Sequence, residues 1–323
     1  MEFFRDVSID WLGKKWYFLG FSLIFSVAGI ISMAMHWASI GSPVPLGVDF
    51  RGGTQVQVQF KQTPDTDKIR AAMDAAGIRD AHIVGIRNVN QAASNDVLVS
   101  LPEQTNEAAL DTGREQIVTA LHAHYDNPFT VRNVQVVGPT VGRQLEKQAT
   151  LATIYSMGGM LIYLWFRFQL IYGVAAVVAC FHDTLITIGA FALTNQEISL
   201  TVIAAILTLV GYSMNDTIVV FDRIRENLRM SRREPLADVV NRSINQTLSR
   251  TVLTSGLTLL TVLSLFIFGG QVLRGFSFAL VIGILIGTYS SIAVAAPMLV
   301  SWQQWRSGRG QGTALPAAKR SRV

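Results

Sequence analysis

Six apolar runs, each near the roughly 20 residues a helix needs to cross a bilayer, constrain this 323-residue chain more than any other feature. They cover 16–35, 151–166, 170–194, 198–221, 251–268 and 272–302. Only 15% of the residues are charged, against about 25% in soluble domains, so a cytosolic enzyme is a poor fit. Disorder is excluded for most of the chain by the same apolar content. The single cysteine, Cys180, rules out an intramolecular disulfide and a Cys-rich zinc site. The first run follows Lys14 and Lys15, exceeds a signal-peptide core and ends without a small-residue cleavage box, so it reads as an uncleaved anchor.

The organisation that follows is a cytoplasmic N-terminus at 1–15, a first span at 16–37, an extracytoplasmic domain at 38–148 and five further spans within 149–302. A cytoplasmic loop at 222–250 and a disordered basic cytoplasmic tail at 303–323 complete it. Lys and Arg concentrate in short loops on the cytoplasmic side. Arg5, Lys14, Lys15, Arg167, the arginines between 223 and 250 and the basic tail lie on one side, and only Arg274 on the short loops of the other. Both termini are therefore expected inside and 38–150 outside. The net charge of +5 is explained by membrane sidedness, and no nucleic-acid partner is expected. In the loop, 222–229 is charged and helix-compatible, and Pro235 separates it from a second short helix carrying Val239, Val240 and Ile244.

The external segment has its own periodicities. Residues 54–60 alternate strictly between polar and apolar, the period of a half-buried strand. Ile69, Met73 and Ala76 follow at helical spacing, with Asp65 or Thr66 as N-cap and Gly77 as the stop. Strand-like runs at 81–87 and 96–101 flank a turn-rich 88–95. A second helix at 107–124 faces Leu110, Ile117, Val118 and Leu121 inward, and 129–137 closes in β-branched alternation. The expected fold class is a polytopic six-helix membrane protein with one external α+β domain of ferredoxin-like βαββαβ order. His82, His122 and His124 read as solvated surface histidines, so no metal site is expected. No Gly-x-x-x-x-Gly-Lys-Ser/Thr loop occurs, which argues against nucleotide hydrolysis. Asp49, Phe50, Arg51, Gly52, Gly53 and Thr54 read as a glycine-permitted turn where the chain leaves the membrane.

Polar residues within the spans are the functional candidates, because an ionisable side chain in lipid costs about 2.5 kcal/mol or more. Ser213, Asn215, Asp216 and Thr217 interrupt the fourth span. Arg250, Thr254, Thr258 and Thr261 recur on one face of the fifth, which places Asp216 and Arg250 at similar depth. Spacing leaves two readings open: a carboxylate that loads and releases a proton, or a static buried pair that fixes packing. His182 and Asp183, in mid-span, are relay candidates. Ser22, Ser26 and Gly29 in the first span, and Gly283, Gly287 and Ser291 in the last, form close-packing faces for helices of this chain or of a partner.

Four strings carry a resemblance. Residues 47–54 (Gly-Val-Asp-Phe-Arg-Gly-Gly-Thr), 137–145 (with Gly138, Pro139 and Gly142), Phe166-Arg167-Phe168 with His182-Asp183, and 211–227 (with Asn215-Asp216-Thr217) resemble the SecD/SecF family of bacterial protein-export membrane subunits. That family is itself similar to the resistance-nodulation-division transporters. Gln144 stands where the family usually has an acidic residue. The resemblance implies a non-enzymatic inner-membrane subunit that uses proton motive force, with protons as coupling ion and no other cofactor. It implies a SecD partner, the SecY/SecE/SecG channel with YajC, and a translocating preprotein as contacts. Asp216 and Arg250 are implied as proton-pathway residues. Asp49, Phe50, Gly52, Gly53, Thr54, Gly138, Pro139 and Gly142 are implied as the joints of the external domain. The competing classes are a half-sized efflux permease of the same superfamily and a non-transporting scaffold.

Overall fold

The computed structural model describes residues 8–78, 81–86, 95–101, 110–168, 170–231 and 234–308. The basic tail from 309, most of the turn-rich 88–95 stretch and the expected start of the second external helix lie outside these residues. Among them, six helices are long and apolar enough to cross a membrane. The chain is a multi-pass helical membrane protein with one small antiparallel sheet.

Helix α1 (Lys15–Ile40) ends on Gly41, whose φ of +73° suits a residue without Cβ. A one-turn helix, α2 (Val48–Arg51), occupies part of the expected turn, and Gly52 and Gly53 leave it at φ +76° and +122°. The external domain then runs β1 (Gly53–Phe60), α3 (Thr66–Ala75), β2 (His82–Ile86), β3 (Asp96–Leu101), α4 (Leu110–His124) and β4 (Phe129–Val137). The sheet order is β2-β3-β1-β4 with every neighbour antiparallel. Val56, Val58 and Phe60 of β1 are buried with Ile69 and Met73 of α3 and Ile117 and Leu121 of α4. The glutamines between them point to the other face, as a period of two demands. Asp65 is the N-cap of α3: its carboxylate accepts from the Asp67 and Lys68 amides. His82 is not a free surface histidine, because it pairs with Glu197. His122 stacks on Phe129.

The membrane bundle adds α5 (Pro139–Arg167), α6 (Leu170–Leu193), α7 (Leu200–Met230), α8 (Leu236–Phe268) and α9 (Gly270–Ser290). The last span continues through a π-helical turn (Ser291–Ala295) into α10 (Ala296–Gly308). Burial sorts the spans into two layers. About half of the apolar window is buried for α6, α7 and the α9 span, against 11%, 6% and 17% for α1, α5 and α8. The expected loop at 222–250 is largely two helical extensions, α7 running to Met230 and α8 starting at Leu236. The N-terminal segment lies against the second of them: the Trp11 amide and indole donate to Asn241 and Asn245 at 2.8 and 2.9 Å. Gly29 of α1 and Gly189 of α6 meet back to back; a Cβ on Gly189 would lie 2.8 Å from the Gly29 Cα. The Gly283 and Gly287 face packs on Leu209 and Ser213 of α7, so it serves this chain's own bundle.

Candidate functional site

Helix α7 buries Ser213, Asp216 and Thr217 on one face, while Asn215 stands on its exposed side. This is the expected geometry for residues separated by three or four positions against one offset by a single residue. Asp216 is 2% exposed, and its Oδ2 accepts a hydrogen bond from Ser255 Oγ of α8 at 2.7 Å. The polar stripe of the fifth span points elsewhere. Thr254, Thr258 and Thr261 bond back to carbonyls of their own helix, on its outer side. The face of α8 turned to Asp216 is that of Thr251 and Ser255, both buried.

Arg250 lies one and a half turns from Ser255, and among the described residues no ion pair joins it to Asp216. Its side chain lines an open cavity of about 490 Å³ between α5, α7 and α8, with Tyr163, Arg167, Asp222 and Glu226. Arg250 and Asp216 are therefore not closed into an ion pair in this conformation.

A second carboxylate, Asp183 of α6, is completely buried. Its Oδ2 accepts from Ser213 Oγ of α7 at 2.5 Å and from Ser290 Oγ of α9 at 2.7 Å. Its Oδ1 lies 3.0 Å from His182 Nδ1, and the other ring nitrogen of His182 contacts Ser22 of α1. One carboxylate thus gathers four helices, and a buried acceptor with several donors is the arrangement that makes its burial tolerable. Ser213 joins this node even though it sits three residues before Asp216. The π-helical turn begins at Ser291, directly after Ser290; such turns often mark functional positions in helices.

The end of the bundle at which α7 begins holds the sheet domain. Phe50 is buried in one apolar cluster with Phe191 of α6, Ile198 of the α6–α7 connection and Val202 of α7. Asp49 Oδ2 accepts from the Leu200 amide at 2.8 Å, and its Oδ1 from Gln135 Nε2 of β4 at 2.6 Å. The Gly47 amide donates to Ile198 and the Ile198 amide to Pro45, at 2.9 and 2.8 Å. Gly138 is the N-cap of α5 and Pro139 its first residue. A Cβ on Gly142 would sit 2.6 Å from the Phe50 carbonyl oxygen, so only glycine fits there without a shift. Thr54 lies against Gly113 of α4.

Comparison with known proteins sets this geometry in a family. The model of the SecD/SecF protein-export membrane proteins, C-terminal part, matches residues 117–305, and that of the SecD/SecF GG motif matches 37–64. The chain belongs to the SecD/SecF family. It is 53% identical to a protein translocase subunit SecF from Koribacter versatilis, over 98% of this chain and 96% of that one. It is 40% identical to one from Desulfurispirillum indicum, over 93% of each. Among solved structures, a crystal structure of the translocon-associated membrane protein SecDF from Thermus thermophilus superposes with a TM-score of 0.80 at 36% identity, over 93% of this chain. A SecDF structure in a super-membrane-facing form gives 0.67 at 36% identity over 97% of this chain. The chain spans about two fifths of those SecDF chains, 39% and 41%.

In this SecD/SecF family member, sequence reasoning located Asp216, Asp183 and His182 but missed Ser255 and Ser290. Each stands beside another hydroxyl residue, Thr254 for Ser255 and Ser291 for Ser290, and only the rotation of the helix decides which of the two faces the carboxylate. The matched GG motif contains Asp49, Phe50, Gly52, Gly53 and Thr54, and the structure brings the first two onto the bundle.

Proposed function

We propose that this chain is a SecF-type, non-enzymatic subunit of the Sec protein-translocation machinery. It works in the bacterial inner membrane with both termini in the cytoplasm. With a SecD-type partner it uses proton motive force to promote preprotein passage through the SecY/SecE/SecG channel, with YajC as an accessory contact. The relatives are named translocase subunits, which favours export over efflux. The observation that carries the proton reading is Asp216: a carboxylate buried in a membrane span, held by one serine, with no ion pair to Arg250 among the described residues.

The chemistry follows from two opposing effects. Burial penalises the ionised carboxylate, and a closing arginine favours it. Approach of Arg250 therefore releases a proton and withdrawal recaptures one. A charge crossing 100 mV is worth about 2.3 kcal/mol, and alternation of this kind converts it into helix movement. Ser255 holds the carboxylate in place between the two states. Asp183 and its donors tie α7 to α1, α6 and α9, so a shift of α7 is felt by the whole inner layer.

The test is proton-dependent preprotein translocation in inverted vesicles that contain the full complex. Asp216→Asn and Arg250→Met are each expected to abolish the proton-dependent stimulation with normal membrane levels. A static pair predicts instead that the single variants assemble poorly and that the double variant regains function. Normal stimulation in the Asp216→Asn vesicles would overturn the proposal.

A further inference from the structure

We propose that Asp49 is the pin through which α7 and the external sheet move together, a positioning residue for the proton-driven step. The inference rests on the proton reading and adds the part that carries the movement outward.

Asp49 sits in the one-turn helix between the first span and β1. Its two oxygens go to different bodies. Oδ2 takes the amide of Leu200, the first residue of α7, and Oδ1 takes Gln135 of β4, the strand paired with β1. α7 runs unbroken from Leu200 to Met230. Asp216 therefore lies about 24 Å down the same rod at 1.5 Å per residue. A carboxylate at a helix N-terminus is favoured by the helix dipole and by charge-assisted bonding. The contact is reinforced by the parallel bridge between Leu46 and Ile198 and by Phe50 inserted into the outer end of the bundle. A tilt of α7 at Asp216 is thus delivered at its outer end to one side chain that also grips the sheet.

The chemistry of Asp49 offers a sharp variant. Both of its partners are donors. Asparagine has one acceptor oxygen, and its amide nitrogen can only donate. Asp49→Asn, nearly identical in shape, keeps one oxygen for the Leu200 amide but loses the carboxylate charge that strengthens both bonds, and its new amide can hold Gln135 only if the Gln135 amide turns over to accept.

The experiment measures preprotein translocation and proton conductance in vesicles that contain the chain with its SecD-type partner and the channel. Asp49→Asn is expected to lower proton-dependent stimulation at least about fivefold, the lower end of ordinary coupling free energies. Conductance and membrane level are expected to stay within about twofold, below that coupling scale. A merely structural Asp49 would lower both together, and that result overturns the proposal. L46C with I198C, added to Asp49→Asn, is expected to restore stimulation when oxidised and lose it again on reduction, because the covalent bridge replaces the pin. Failure of the oxidised pair to restore it also overturns the proposal. If Asp49→Asn does not accumulate, Gln135→Ala decides. It removes the β4 link from an exposed position, and unchanged stimulation there counts against the pin. Retained stimulation in Asp216→Asn vesicles would instead remove the proton reading.

Discussion

His82 Nδ1 lies 2.9 Å from Glu197 Oε1, an ion pair between the start of β2 and the connection from α6 to α7. The hydrogen bond to Glu197 raises the His82 pKa above its usual 6.5; burial opposes this, the Glu197 charge adds to it, and Arg70 and Arg51 oppose it. A raised folded value means that the contact is fully present below about pH 6.5 and is lost as pH rises through the folded pKa. Amide-exchange protection of the 197–200 segment, corrected for intrinsic rates, is expected to fall over that rise. In Glu197→Gln it should be flat with pH; an unchanged pH dependence in that variant would show that another group titrates. The spatial neighbour was invisible in the sequence, since Glu197 lies 115 positions from His82. Asp216 and Asp183 were legible because a carboxylate inside an apolar run contradicts its surroundings. Their partners Ser255 and Ser290 were not, because a serine in a span is unremarkable without its neighbour.

At the scale of elements, helix contacts are set by where side chains are missing. Gly29 and Gly189 let α1 and α6 touch backbone to backbone, with a Cβ on Gly29 falling 2.9 Å from the Gly189 Cα. Gly20, on the same helix as Gly29, has nothing within 4 Å of an added Cβ. Gly29→Leu is therefore expected to lose about 1–3 kcal/mol of stability by overpacking and to part Ser22 from His182. Gly20→Leu should be near neutral. Thermal unfolding in detergent distinguishes them, and equal effects from both would remove the packing argument. The same logic selects between the two readings of Gly283 and Gly287. A small-residue face announces that something packs closely, and α7 of this chain is what does. The charged 222–229 stretch is continuous with α7 because no glycine or proline interrupts it before Ser231.

At the scale of the molecule, the layers decide what the chain presents to its surroundings. α6, α7 and the α9 span form an inner set, while α1, α5 and α8 keep apolar faces outward, Phe166 and Leu257 among the exposed residues. The external sheet and the turn between α7 and α8 lie at opposite ends of α7, since Asp49 meets Leu200 and the N-terminal Trp11 meets Asn241. Single cysteines at Gln59 and Ser231 are expected to react with a membrane-impermeant reagent from opposite sides, Gln59 from outside, with native Cys180 buried in the bundle. Labelling of both from one side would contradict the topology.

The sequence by itself determined the six spans, the β-α-β-β-α-β order of the external segment and the two intramembrane carboxylates. Each is written in local periodicity or in a residue that violates it, and both can be read within a window of one element. Only the tertiary structure decided which face of α8 meets Asp216, that Arg250 stands apart from it, that Ser213 serves Asp183, and that Asp49 joins α7 to the sheet. These depend on helix rotation and on contacts between positions far apart in the chain. A rotation of one residue, about 100° on a helix, exchanges the Arg250–Thr254 face for that of Thr251 and Ser255, and no local pattern fixes it. Packing does, through glycines that admit a neighbour and buried donors that require an acceptor.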